Sequence, residues 1–350
     1  MLRPVSLPLS DLRPLALGEI IDRAATFWRK HFKSLLVLSL GFNLSSYILT
    51  KALQLATQRN FAAIQEAARD NDLAAMGSEY ARLMVAMTGI IVVTHWLYQL
   101  NSLVVARYVV PIQLGQPARP ADAGRRALQR VGAFTGAYAL SLLWAVGAVL
   151  LMMLPGGVLA GVGTLMGLQS SSPGVRMAGV VVGIVGLILA MLGMLGGVLW
   201  YLLRFSILAP VMALEDHSAL RSFRRSGELL SGRVEPGFLG RVTVRAMVLV
   251  TVVSLILLAV SILCGMPALI IQFVYGSPLN PGAAAANLAP QSLLVPAELL
   301  QVVGQAMLNP LGVVVYSTLY LDMRVRREGL DLERRLEART PASTDTVVAA

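Results

Sequence analysis

A chain of 350 residues that carries a net charge of +10, with 56% hydrophobic residues and only 14% charged ones, has a mean hydropathy of +0.69. Soluble domains average about 25% charged residues, so this composition excludes a soluble globule, a disordered chain and a collagen-like chain. The single cysteine, Cys264, excludes a disulfide-stapled secreted domain.

A spanning helix needs roughly 20 apolar residues, and a charge at its centre costs at least about 2.5 kcal/mol on insertion scales. Charge-free stretches therefore measure the crossings. The N-terminal arm, Met1–Pro14, is proline-rich and has no apolar run, unlike a signal peptide. The next segment, 17–32, predicts an amphipathic helix with Leu17, Ile20, Ile21, Ala24, Trp28 and Phe32 on one face and Glu19, Asp22, Arg23, Arg29 and Lys30 on the other. The first span follows at Ser34–Thr50, with Lys51 snorkelling outward from its end. The outer segment Thr57–Tyr80 predicts a short helix, and Leu83–Ala106 a second span. A weaker basic amphipathic piece, Arg125–Arg130, leads to span three at Ala133–Leu154, which Pro155-Gly156-Gly157 ends. Span four is Met177–Leu203. Ser218 caps a third basic amphipathic helix, in which Leu220, Phe223 and Leu230 share a face and Arg221, Arg224 and Arg225 supply charge. Span five, Met247–Tyr275, gives way to an irregular loop, Gly276–Pro290, and span six is Leu299–Leu321. The tail, Arg324–Arg339, predicts a helix with Arg327/Asp331 and Asp331/Arg335 pairs and a stripe of Val325, Leu332 and Leu336; Pro341–Ala350 predicts disorder.

The predicted fold is all-α: a polytopic membrane protein of six transmembrane helices, arranged as three helical hairpins, each preceded by a basic amphipathic interfacial helix. One membrane domain covers 1–350, with repeat units 17–108, 119–204 and 218–324 and a tail at 325–350. An even number of spans puts both termini on one side. Most of the 29 Lys and Arg residues fall in the N-terminal arm, in the segments after spans two and four, and in the tail, so the positive-inside rule makes both termini cytoplasmic. Arg107-Tyr108, Arg204-Phe205 and Tyr320 with Arg324 read as interface anchors at the span exits.

Three sets of residues are candidates for function. Arg29, Lys30, Lys33, Arg125, Arg126, Arg221, Arg224 and Arg225 stand where anionic headgroups would be, each attraction being worth about 1 kcal/mol. His95 lies mid-span with Gln99 and Ser102 on its face; in span six Glu298, Gln301, Gln305, Asn309 and Tyr316 form a polar stripe, and Asn309-Pro310 is a point where the helix can break. Such residues either line a solute path or hydrogen-bond neighbouring helices. Gly179, Gly183, Gly186, Gly193 and Gly197, with Ala190, form a small-residue seam for close packing, within the chain or between copies in a homo-oligomer. Glu215-Asp216-His217 reads as the charged start of a helix rather than a metal site. No zincin pair, cysteine pair or phosphate loop occurs, so the expectation is a non-enzymatic protein with no catalytic residues, no metal, no cofactor and no nucleic-acid partner.

Three stretches, 12–24, 211–232 and 319–333, resemble the bacterial glycerophosphoryl diester phosphodiesterase membrane domain family. Respectively they look like its opening (LRPLALGEIIDRA), its central amphipathic helix (VMALE and ALRSFRRSGELLSG) and its close (LYLDMRVRREGLDLE). Gly227 departs from the aromatic that the family pattern carries. The resemblance implies a polytopic module of the bacterial inner membrane. The 29 residues after Leu321 leave no room for the phosphodiesterase barrel, so the name brings no activity with it. Two functions follow as expectations: a module whose basic cytoplasmic face organises lipids or a membrane or cytoplasmic protein partner, or a transporter of a small solute or ion through the polar faces of spans two and six.

Overall fold

The computed structural model describes residues 13–70, 72–234, 236–237, 240–276 and 289–339. Most of the expected loop at 276–290, nearly all of the arm at 1–14 and the expected disorder at 341–350 lie outside the described residues, as does the Arg335 side chain of the Asp331/Arg335 pair. Among the described residues the protein is helical throughout, with one isolated bridge between Arg233 and Arg241. Six helices are long and apolar enough to cross a membrane: α2 (Phe32–Arg69), α3 (Leu73–Gln113), α5 (Val131–Gln169), α6 (Pro173–Phe205), α9 (Val242–Gly276) and α10 (Gln291–Glu328). Five shorter helices are α1 (Leu17–Lys30), α4 (Pro120–Gln129), α7 (Leu208–Leu214), α8 (Ala219–Leu229) and α11 (Leu330–Arg339). Val37, Leu168 and Leu263 are each more than 70% exposed, with many other large apolar side chains beside them. A band of that size is stable only where hydrocarbon replaces water.

The spanning helices outrun their apolar cores. Nothing between Lys51 and Arg69 is Gly or Pro, so α2 continues to Arg69 and absorbs the short outer helix expected within Thr57–Tyr80. The Asp72 carboxylate accepts the Ala74 and Ala75 N–H groups at 3.1 and 2.9 Å to start α3. Two expected breaks are corrected. Pro155 and Pro310 lie inside continuous helices, as does Pro111. Each proline removes one backbone hydrogen bond, but in hydrocarbon every other backbone group still needs an intrahelical partner, which favours a continued helix.

The chain divides into two compact units, Met1–Val131 with Thr251–Ala350, and Gly132–Val250. In the second unit α5 and α6 meet backbone to backbone. A Cβ built on Gly179 would lie 2.7 Å from the Gly163 carbonyl oxygen, one on Gly197 2.8 Å from Val149 Cα, and one on Gly186 2.8 Å from Ala160 Cα. Gly193 sits as tightly on Met152, whereas Gly183 has room, its nearest neighbour being 3.9 Å away. The seam read from the sequence is thus filled within the chain, and Gly156 and Gly163, near the expected break, are its other half.

The amphipathic helices use their apolar faces on protein. In the first unit α1 packs on α10, and α4 packs on α3; in the second unit α8 packs on α6. Ile20, Ala24 and Phe27 form the buried face of α1. Leu15 N–H donates to Asp322 at 2.8 Å and Trp28 Nε1 donates to the Met307 carbonyl at 2.9 Å. Helix α1 therefore runs antiparallel along α10 for about 22 Å, fifteen residues of rise, rather than resting on lipid alone. The bonded Met307 carbonyl lies in the turn that Pro310 loosens. Phe223 of α8 stacks on Phe205 at 5.2 Å, and Ser226 Oγ donates to the Arg204 carbonyl at 2.9 Å. The Arg204 guanidinium lies 5.3 Å from the Trp144 ring centre and fills the space over Gly227, so an aromatic at 227 would displace it. Chain exits expected to anchor in the interface are instead packed: Tyr108 and Tyr320 are buried, and Arg324 pairs with Glu328 at 2.9 Å.

At the other end of α10, Gly329 adopts φ +64°, the left-handed conformation that ends a helix without steric cost. This separates Val325, buried on α10, from Leu332 and Leu336, exposed on α11, so the expected single stripe does not form.

Candidate functional site

The polar residues of α10 meet a second polar stripe, on α2. Asn43, Ser46, Tyr47, Thr50, Lys51 and Gln54 recur at i, i+3, i+4, i+7, i+8 and i+11, one face of a helix. That pattern is legible in the sequence and was missed, because span one was measured as a charge-free length and not as a face. With α3 the two stripes line an open cleft of two chambers. The first, of about 270 Å³, is lined by the α2 stripe and by Glu298, Gln301 and Gln305. The second, of about 330 Å³, is lined by Asn43, Ser46, Thr94, His95, Gln305 and Asn309 among others. Asn43, Ser46 and Gln305 belong to both, so the chambers are contiguous.

Lys51 does not snorkel. Its Nζ lies 2.8 and 3.0 Å from the two Glu298 carboxylate oxygens, and Tyr47 Oη donates to the same carboxylate at 2.9 Å. Only 13% and 14% of the two charged side chains is exposed. Pairing neutralises two charges that would be prohibitive singly. Deeper in the cleft, Asn309 Nδ2 donates to Asn43 Oδ1 at 3.1 Å, and Asn43 Nδ2 to the Ser39 carbonyl at 2.8 Å. His95 Nε2 and Gln99 Nε2 are 3.4 Å apart. Asn43, His95 and Asn309 each stand near the middle of the apolar stretch of their helices. Of the expected polar set the structure thus gathers His95, Gln301, Gln305 and Asn309 around one cleft, and places Gln99 behind His95.

Below these chambers the unit closes. Ser39 Oγ donates to Asn101 Oδ1 at 3.3 Å. One turn on, Leu35 and Val105 are fully buried. One turn further, His31 Nδ1 and Tyr108 Oη are 3.0 Å apart. Beyond that apolar layer lies a separate cavity of about 480 Å³, lined by Arg13, Glu19, Asp22, Arg23, Lys30, His31 and Gln113 among others. Gln113 Nε2 donates to Thr318 Oγ1 at 2.9 Å, but its buried Oε1 has no partner among the described residues. Burial, with Lys30 beside it, pushes the His31 imidazole below its ordinary value.

The basic candidates divide. Arg29, Lys30, Lys33, Arg125, Arg126, Arg221 and Arg224 are exposed. Arg225 is half-buried and grips Glu215, Nε to Oε2 at 3.0 Å and a terminal nitrogen to Oε1 at 3.4 Å. Glu215 also faces His217 Nε2 at 3.2 Å. Glu215 therefore ties the end of α7 to α8, and Ser218, at the capping position, makes no side-chain capping bond.

Fold and cleft together define an all-α, multi-pass membrane protein. No family model, no curated protein and no solved structure matches the chain.

Proposed function

We propose that the protein is a non-enzymatic carrier of small polar solutes in a bacterial inner membrane, with both termini cytoplasmic. The observation that supports this is the two-chambered polar cleft between α2, α3 and α10. Interhelical hydrogen bonding alone accounts for one or two facing polar groups; it does not require contiguous space lined by amides, hydroxyls and an ion pair at mid-span. The layer at Leu35 and Val105 separates the cleft from the 480 Å³ cavity, so the cleft is closed on that side, as it is in one state of an alternating-access carrier.

The test is water access. In a Cys264→Ser background, Ser46→Cys and Gln305→Cys are expected to react with a membrane-impermeant thiol reagent from the periplasmic side and not from the cytoplasmic side, while Val37→Cys stays unreactive from both. If Ser46→Cys and Gln305→Cys are as unreactive as Val37→Cys, the cleft is dry and the reading fails.

A second reading has its own support. The exposed Arg221 and Arg224 flank Leu220, which is 49% exposed. This is the pattern of a helix edge that rests on anionic headgroups, and it suits a lipid- or partner-organising role. On that reading, and on the three stretches that resemble the glycerophosphoryl diester phosphodiesterase membrane domain family, α1, α8 and the end of α10 are the family's signature elements.

A further inference from the structure

We infer that the solute held in the cleft is a small zwitterion of amino-acid size, carrying one ammonium and one carboxylate group. The inference rests on the carrier reading and names its substrate class. Among the described residues, Lys51 and Glu298 are the only formally charged side chains lining the two chambers. They face each other at 2.8 Å and both line the same chamber, so the pair is part of the wall a solute meets rather than a tie behind it. A solute of one charge sign would attract one partner and leave the other unpaired in a low-dielectric site, which is strongly unfavourable. A zwitterion inserts without that cost: its carboxylate takes Lys51 Nζ, its ammonium takes the Glu298 carboxylate, and net charge in the cleft stays zero. Tyr47 Oη, which donates to Glu298 at 2.9 Å, is placed to follow the carboxylate or to donate to that of the solute. The rest of the solute would then meet Gln301, Gln305, Ser46 and Asn43, which supply both donors and acceptors. A chamber of about 270 Å³ has room for a small amino acid with a few waters.

The experiment uses the full-length protein in detergent and reads its thermal midpoint. Glycine, L-alanine, L-serine and glycine betaine are the zwitterionic probes. Propionate and ethylamine are the single-charge halves of alanine. At least one zwitterion is expected to raise the midpoint by several degrees at saturation, as a ligand selective for the native state does. Propionate and ethylamine are expected to give less than a tenth of that shift at equal concentration. Lys51→Met with Glu298→Met, which removes the pair without leaving a lone charge, is expected to lose the response. If none of the four zwitterions shifts the midpoint, or if either half-molecule shifts it as far as alanine does, the inference is overturned. The comparison among ligands is made on the wild type, so it holds even where the double variant folds poorly. Thiol labelling of Ser46→Cys is read separately. Labelling with no zwitterion response rejects the substrate class and keeps the carrier; no labelling rejects the carrier.

Discussion

Single residues decide whether the cleft survives. The Lys51–Glu298 pair is largely withdrawn from solvent, so removing one partner leaves a bare charge, whereas removing both does not. Lys51→Met or Glu298→Leu alone is expected to destabilise the protein by about 3–5 kcal/mol, and the Lys51→Met, Glu298→Met double variant by much less; denaturation of the three in one detergent checks this. His31 gives a pH signature. Its folded-state affinity for a proton lies below the ordinary value of 6.5, so the unfolded chain binds more protons as pH falls through that region, and stability drops with it. His31→Gln is expected to flatten the loss of thermal midpoint between about pH 7.5 and 5.5. A variant curve that parallels the wild type would contradict the assignment. At this scale the sequence exposed the polar groups on α3 and α10 but not their partners. Nothing in the local pattern around Lys51 says that Glu298, 247 residues away, will neutralise it, and a lysine at the end of a charge-free run looks the same whether it snorkels or pairs.

Elements were legible where the hydrophobic period is strong. The six spans and the three amphipathic helices follow from charge-free length and from a 3.6-residue repeat, which local energetics enforce. Breaks were not, because Pro155 and Pro310 act as punctuation in water and are tolerated in hydrocarbon. The small-residue stripe on α6 was legible as spacing, but its partner, the Gly156 and Gly163 side of α5, was hidden by the expected stop at 155–157. The seam makes a contrast that composition cannot. Exchanging Gly for Ala in a helix ordinarily stabilises by about 1 kcal/mol. Gly183→Ala has open space to do so, while a Cβ at Gly186 collides with the Ala160 backbone. Gly186→Ala is expected to cost about 1–3 kcal/mol through overpacking, and Gly183→Ala to be neutral or mildly stabilising. Equal effects of the two on the thermal midpoint would mean that α5 and α6 are not in contact as described.

For the whole molecule, parity and charge asymmetry carry the threading, and the structure adds a tie that neither foretells. Leu15 and the α10 end are joined through Asp322, whose carboxylate accepts the Leu15 N–H at 2.8 Å and the Arg326 guanidinium at 2.9 Å, while Arg326 also donates to the Leu15 carbonyl at 2.9 Å. The start of α1 and the end of α10 are therefore on one side. Compartment-specific reporters at Asp70 and Gly124 are expected to be active on opposite sides. The cleft exists only if α2 and α10 present their polar faces to each other inside the bilayer. The direct measurement is a disulfide between Asn43→Cys and Asn309→Cys in a Cys264→Ser chain with a protease site placed between Gly276 and Ala289. After oxidation in native membranes and cleavage, the two fragments should migrate together until reductant is added, whereas Val37→Cys with Asn309→Cys should separate at once. Fragments of the Asn43/Asn309 variant that separate without reductant, or that join only as a product of two chains, would contradict the cleft and every functional statement built on it.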